Sequence, residues 1–175
     1  INRIKDIAGS YSTKMPEDLT PRSEFLLDVF KRYVSMEDTI LEIGYGDGRN
    51  IKYLKVHGYK NVEGIDKKDG TSIEDTDVKQ YDVVFTMSTL FLIPPKEITP
   101  QGFVENEWIW EKIANIPRKF LITIEGEITN KASNNGAGVW GRDYETLLKE
   151  RGITVIKVKI DEEIWPGSVN WAKYG

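Results

Sequence analysis

The sequence predicts a doubly wound α/β fold, a mostly parallel sheet with helices on both faces. Three observations predict it. Short apolar, β-prone runs recur along the 175-residue chain and alternate with segments of helical periodicity. The run Tyr81–Met87 is continuously apolar but for Asp82 and Thr86, as a strand covered on both faces requires. The stretch Thr39–Asn50, TILEIGYGDGRN, carries a strand straight into a glycine turn and a helix.

Each element follows in order. Residues 1–20 are polar and include Gly9, Ser10, Ser12 and Pro16, which reads as a mobile arm or lid. Thr20-Pro21 pairs an N-cap with proline at the first helical position. Phe25, Leu26, Val29, Phe30 and Tyr33 then keep helical spacing, so Pro21–Val34 is an amphipathic helix. Thr39–Tyr45 is a buried strand, and Arg49–His57 a helix closed by Gly58. Asn61–Asp66 and Tyr81–Met87 are the next strands. Gly102–Asn115 reads as helix and Lys119–Glu125 as a strand. Residues 128–141 form a polar loop rich in glycine and asparagine, Asp143–Arg151 a helix, and Ile153–Ile160 a strand. The tail 161–175 carries two tryptophans and no period. No internal repeat or boundary appears, so residues 1–175 read as a single domain.

Composition narrows the function classes. A net charge of −4 gives no general attraction to a phosphate backbone. With no cysteine, disulfides, thiolate metal sites and cysteine nucleophiles are excluded, which fits a cytoplasmic protein. The longest apolar run, Val83–Pro95, is interrupted by Thr86, Ser88 and Thr89 and is too short for a membrane span. The lone histidine, His57, sits at a helix end, where a surface position is expected and a transition-metal site is not.

The glycine turn carries the chemistry. Gly44, Gly46 and Gly48 are spaced two apart, and an acid, Asp66, ends the following strand twenty residues after Gly46. In an open sheet of this kind ligands lie beyond the carboxyl ends of the strands. Gly44 leaves the strand in a tight turn, Gly46 lets backbone approach a ligand, and Gly48 lets the helix pack close to the strand. Asp66 can accept two hydrogen bonds from ribose hydroxyls. A dinucleotide fingerprint wants glycine where Arg49 stands, and a phosphate loop wants a Gly-Lys-Ser/Thr that is absent. Glu42 and Asp47 flank the glycines; an acidic turn repels pyrophosphate and suits an ammonium or sulfonium ligand. The competing reading is a tight strand–helix turn with no ligand, with Glu42 ordering the loop and Asp66 a plain strand-end acid.

These residues resemble the class I S-adenosylmethionine-dependent methyltransferases, which have a Rossmann-like fold. The first family motif is carried by Glu42-Ile43-Gly44-Tyr45-Gly46-Asp47-Gly48, the ribose-binding acid by Asp66 in Val62-Glu63-Gly64-Ile65-Asp66, and the fourth-strand motif by Tyr81–Leu90. Tyr144-Glu145-Thr146-Leu147-Leu148 with Gly152 matches the sixth element, and the resemblance spans roughly residues 20–160. It implies S-adenosyl-L-methionine as cofactor, held by Glu42, Gly44, Tyr45, Gly46, Gly48, Asp66, Lys67, Ser72, Ile73 and Met87. Ser72 would meet the adenine through its backbone amide and Ile73 through an apolar face. One departure stands out. Only fifteen residues separate Asp66 from Asp82, where the family fits a helix and a further strand, so the sheet lacks a strand or holds an abbreviated one.

The resemblance implies in-line methyl transfer, with a small-molecule acceptor as the first expectation. The motif of the family's amino-methylating nucleic-acid enzymes is replaced by Ser88-Thr89-Leu90-Phe91, so DNA is not expected as a partner. A protein or RNA acceptor supplied with a partner, and a non-catalytic binding subunit, are the alternatives. Methyl transfer needs no catalytic triad, and a base only for a protonated acceptor. Glu125, at the end of a strand, is the first candidate, followed by Tyr11 and Asp143. All five tryptophans lie after residue 107; Trp108 and Trp110 share a helix on different sides, and Trp140 or Trp165 could line an acceptor pocket rather than the core. No metal is expected, and the sequence is silent on oligomeric state.

Overall fold

A computed structural model describes residues 20–125, 133–134 and 140–158, the side chains of 20–23 and 133–134 excepted. Its centre is a four-stranded sheet, parallel throughout: β1 (Ile40–Ile43), β2 (Val62–Ile65), β3 (Tyr81–Met87) and β6 (Pro117–Ile124), in the order β2-β1-β3-β6. Helices α1 (Thr20–Tyr33) and α2 (Arg49–Val56) cover one face, and α3 (Glu107–Asn115) and α4 (Tyr144–Lys149) the other.

The alternation of side chains along each strand builds the two layers. From β1, Ile40 joins Leu26, Phe30, Leu54, Val83 and Phe85 on one face, while Leu41 and Ile43 join Val84, Ile109, Trp110 and Ile113 on the other. Phe30 meets both Tyr59 and Phe85 edge-on, at centroid distances of 5.4 and 5.2 Å. Of the paired tryptophans, Trp110 is wholly buried and Trp108 about half exposed.

At the opposite rim, a polar clamp fixes the strand starts. Asp82 accepts from the Thr39 amide (3.0 Å), the Thr39 hydroxyl (2.9 Å) and Arg118 (3.3 Å). The Thr39 amide and Arg118 hold its carboxyl far below the usual carboxylate range.

The chain runs from β1 through α2 to β2 on one side, then returns past β1 to place β3 on the other. The order reverses between β1 and β3, which makes the crevice at their carboxyl ends the place for a ligand. Residues 71–80 contain a turn and no strand, so the abbreviation read from the sequence is real.

Two expectations are corrected. The predicted helix Gly102–Asn115 begins only at Glu107; before it, β4 (Glu97–Thr99) and β5 (Gly102–Val104) form an antiparallel hairpin. Its turn is Thr99-Pro100-Gln101-Gly102, with Gly102 at φ +138, a conformation that excludes helix there. The expected strand Ile153–Ile160 has no regular structure over its described part, residues 153–158. Ile156 and Val158 are exposed there, so the β-prone run has no sheet to pair with in that stretch. Within 128–141, Ser133–Asn134 (β7) pairs antiparallel with Trp140–Gly141 (β8). Residues 1–19 of the arm expected over 1–20, Tyr11 among them, and Trp165 and Trp171 lie outside the described residues, and Thr20 opens α1.

Candidate functional site

The three glycines leave β1 with positive φ: +75 at Gly44, +55 at Gly46 and +76 at Gly48. Three left-handed residues in five positions fold the chain back on itself before α2 starts at Arg49. Their surroundings differ. A Cβ on Gly44 would lie 2.3 Å from the Thr89 side chain, so this glycine is bare because Thr89, after β3, packs on it. A Cβ on Gly46 would meet no atom of the described residues within 4 Å. The open side of the turn is therefore at Gly46.

Asp66 faces that turn. Its Oδ2 accepts from the Gly46 amide at 2.8 Å and its Oδ1 from the Lys68 amide at 2.9 Å. The glycine turn and the strand-end acid are thus joined directly across the ends of β1 and β2, and each carboxylate oxygen keeps a further lone pair. Two more links bind the same loops: the Tyr45 hydroxyl donates to Asp69, and the Lys68 ammonium donates to the Gly46 carbonyl while lying 4.7 Å from the Tyr45 ring centroid. Gly64 makes room for that ring; a Cβ there would fall 2.7 Å from it. Lys67 is exposed in the turn that follows Asp66.

Beneath the turn sits Glu42, 1% exposed. Its Oε1 accepts from Asn50 Nδ2 at 2.6 Å, and its Oε2 has no hydrogen-bond partner among the described residues. Asn50, in the first turn of α2, also lies 3.8 Å from the sulfur of Met87. Burial pushes the Glu42 carboxyl up to about 8, helped by Asp47 and Asp66 and opposed by Asn50 and Arg49. Asp47 stays ionised through Arg49, whose guanidinium it holds at 2.9 Å.

Ser72 and Ile73 are both buried. The Ser72 hydroxyl donates to Asp75 at 2.8 Å, and Ile73 packs in the core with Leu41, Ile43 and Val84. The Ser72 hydroxyl is thus engaged within its own turn, and Ile73 within the core.

At the ends of β3 and β6, Glu125 accepts from the Thr86 hydroxyl (2.8 Å) and the Thr89 amide (3.0 Å), closing the turn Leu90–Leu92. Its burial raises the carboxyl to about 7, against the hydrogen bonds from Thr86, Thr89, Leu90 and Phe91. Ser88, just before, holds φ +62, a strained value for a residue with a side chain. Asp143 caps α4, accepting from the Thr146 amide at 3.1 Å and the Thr146 hydroxyl at 2.8 Å. Both acids named as proton acceptors therefore also hold local structure.

Sequence reading missed four participants. Thr89 and Asn50 are small polar residues without a motif of their own. Lys68 stands in the charged stretch Lys67-Lys68-Asp69, where nothing marks one residue from the next. Arg142, for which the sequence suggests no role, is 2% exposed. It donates to Glu105 at 2.7 Å and to the carbonyls of Ile93 (2.8 Å) and Trp140 (3.1 Å), tying β8 to the turn after β3. No residue spacing announces such a long-range anchor. Among the described residues no cluster of metal-binding side chains occurs, and no helix is long and apolar enough to cross a membrane.

Compared with known proteins, the sequence matches no family model and no curated protein. Comparison of structures does find matches, 25 solved chains in number. One is the structure of the mitomycin 7-O-methyltransferase MmcR, at TM-score 0.51 and 13% identity over 79% of this chain. The match spans 49% of that protein, so this chain corresponds to about half of its length. The parallel four-stranded sheet between two helical layers is a Rossmann-like α/β fold, and the likeness is one of fold.

Proposed function

We propose that this chain binds S-adenosyl-L-methionine and transfers its methyl group to a small-molecule acceptor. The observation that carries the reading is the bond between Asp66 and the Gly46 amide beside an open Gly46. A turn that merely linked strand to helix would have no need of a strand-end carboxylate held against its outer glycine, with lone pairs to spare.

The residues present fit such a cofactor. The space beside Gly46 is clear of the described residues, Asp66 can still accept from ribose hydroxyls, and the acids Asp47 and Asp66 favour a cation. When bound, the cofactor supplies a methyl group already activated by the positive charge on sulfur. The protein's part is to hold and orient. Asp66 and the Gly46 turn would hold the nucleoside, and Tyr45 with Lys68 would fix the two loops relative to each other. Glu125, raised to about 7, would take a proton from a protonated acceptor near neutral pH while keeping the 89–92 turn in place. The structural neighbour, a mitomycin 7-O-methyltransferase, supports a small-molecule acceptor over DNA. A cytoplasmic location agrees with the lack of cysteine.

A second reading is a binding subunit that performs no transfer itself. It draws on the missing strand in 71–80 and on Thr89 packed over Gly44. Titration calorimetry with S-adenosylmethionine tests the main reading: a saturable heat with one site is expected. Absence of binding at millimolar cofactor would remove it; binding without turnover of any acceptor would favour the second.

A further inference from the structure

The buried acid under the glycine turn has a feature that loop ordering does not explain. A side chain 1% exposed normally has both carboxyl oxygens satisfied, yet among the described residues Glu42 bonds Asn50 with one and nothing with the other. The groups facing it are few. From α2 come Asn50 and the guanidinium of Arg49; from the turn, Asp47; from the end of β2, Asp66; Asn50 in turn meets the uncharged Met87 of β3. Two like charges against one opposite charge, in a dry setting, make an ionised Glu42 costly in the absence of a further cation.

Resting on the reading above, we propose that Glu42 is a proton-linked counter-ion for a cationic group of the ligand. It is neutral in the free protein and ionises when that cation arrives, its proton passing to solvent. The burial-raised carboxyl, near 8, agrees with this. The arrangement selects charge. A ligand carrying sulfonium or ammonium lowers the cost of ionising Glu42, and the ionised carboxylate in turn holds the cation through a low-dielectric interior, where such attraction is strong. An uncharged adenosyl thioether gains nothing from it. Affinity for the cation then rises with pH, because proton release is part of binding; the slope approaches tenfold per pH unit below the free-state titration and flattens above it.

The test uses the intact chain and three probes: S-adenosylmethionine (sulfonium and ammonium), S-adenosylhomocysteine (ammonium alone) and 5′-methylthioadenosine (neither). Each is titrated calorimetrically at about pH 6, 7, 8 and 9, in buffers of different ionisation heat, into wild type and Glu42→Gln. Wild type is expected to release roughly one proton on binding S-adenosylmethionine at pH 7 and to bind it more tightly as pH rises. The neutral thioether is expected to show no such slope, and S-adenosylhomocysteine reveals which cation is felt. Glu42→Gln keeps the shape and the Asn50 contact, and should lose the proton release. Equal pH slopes for charged and neutral probes in wild type overturn the proposal, even if the variant fails to fold. The same release in Glu42→Gln overturns it too. No binding of any probe removes the functional reading first and this proposal with it.

Discussion

Gly46→Ala separates a ligand-bearing turn from a merely tight one. The substitution places a methyl group where no atom of the described residues lies within 4 Å. Its cost to the protein alone is the left-handed backbone at φ +55, about 1–2 kcal/mol. For a chain of this size that lowers the melting temperature by roughly 2–8 °C. Cofactor at a hundred times its dissociation constant should raise the wild-type melting temperature through about 2.7 kcal/mol of linkage, or roughly 5–11 °C. If the ligand lies against Gly46, the methyl group occupies its place and that rise disappears. Gly152→Ala is the matched control: φ is +78 and its Cβ site is equally open, but it lies in the turn after α4. It should show a similar loss of stability and keep the full rise with cofactor. Differential scanning fluorimetry with and without S-adenosylmethionine reads both. A Gly46→Ala protein that gains as much as wild type would refute the reasoning, because the open side of the turn would then face no ligand.

Three further outcomes follow from the same geometry. Asp66→Ala should abolish the cofactor-induced shift and, by freeing the amides of Gly46 and Lys68, lower stability by about 1–2 kcal/mol in a denaturant melt; retained affinity would count against its role. Gly44→Ala should destabilise more than Gly46→Ala, by about 2–5 kcal/mol, since backbone strain adds to a collision with Thr89 at 2.3 Å. Glu42→Gln should change how stability depends on pH. The folded carboxyl titrates near 8, above its ordinary 4.5, so the contribution of Glu42 is fully present below about 4.5 and is lost as pH rises through 8. The wild-type slope from this group is at most about 1.4 kcal/mol per pH unit in that window. The variant should match wild type at pH 4–5 and exceed it at pH 8–9 in urea unfolding; parallel curves would show that Glu42 is ionised throughout.

The parts of this fold that could be read from residues are those governed locally. β3 was found to the residue because seven successive positions suit a covered strand. The end of α2 was found because Gly58, at φ +99, lets the amides of Gly58 and Tyr59 reach back to Lys55 and Leu54. The hairpin at 97–104 was legible too, in Thr-Pro-Gln-Gly, but helical spacing of the apolar residues after it drew the helix boundary too early. Ile153–Val158 shows the opposite limit: β-branched residues make a strand only where an edge receives them. In the site, the glycines and Asp66 could be named from spacing alone. Their division of labour could not. That Gly44 answers to Thr89 and Gly46 to open space depends on where β3 ends relative to β1, a tertiary fact. Arg142 is the same case, since its partners Glu105, Leu90 and Ile93 lie 37 to 52 positions away in the chain.

The most direct measurement is a crystal structure of the chain grown with S-adenosylhomocysteine. Density for the nucleoside should lie against Gly46, with its ribose hydroxyls on the Asp66 carboxylate. Density at a different place on the molecule, or an empty crevice at saturating ligand, would contradict the account.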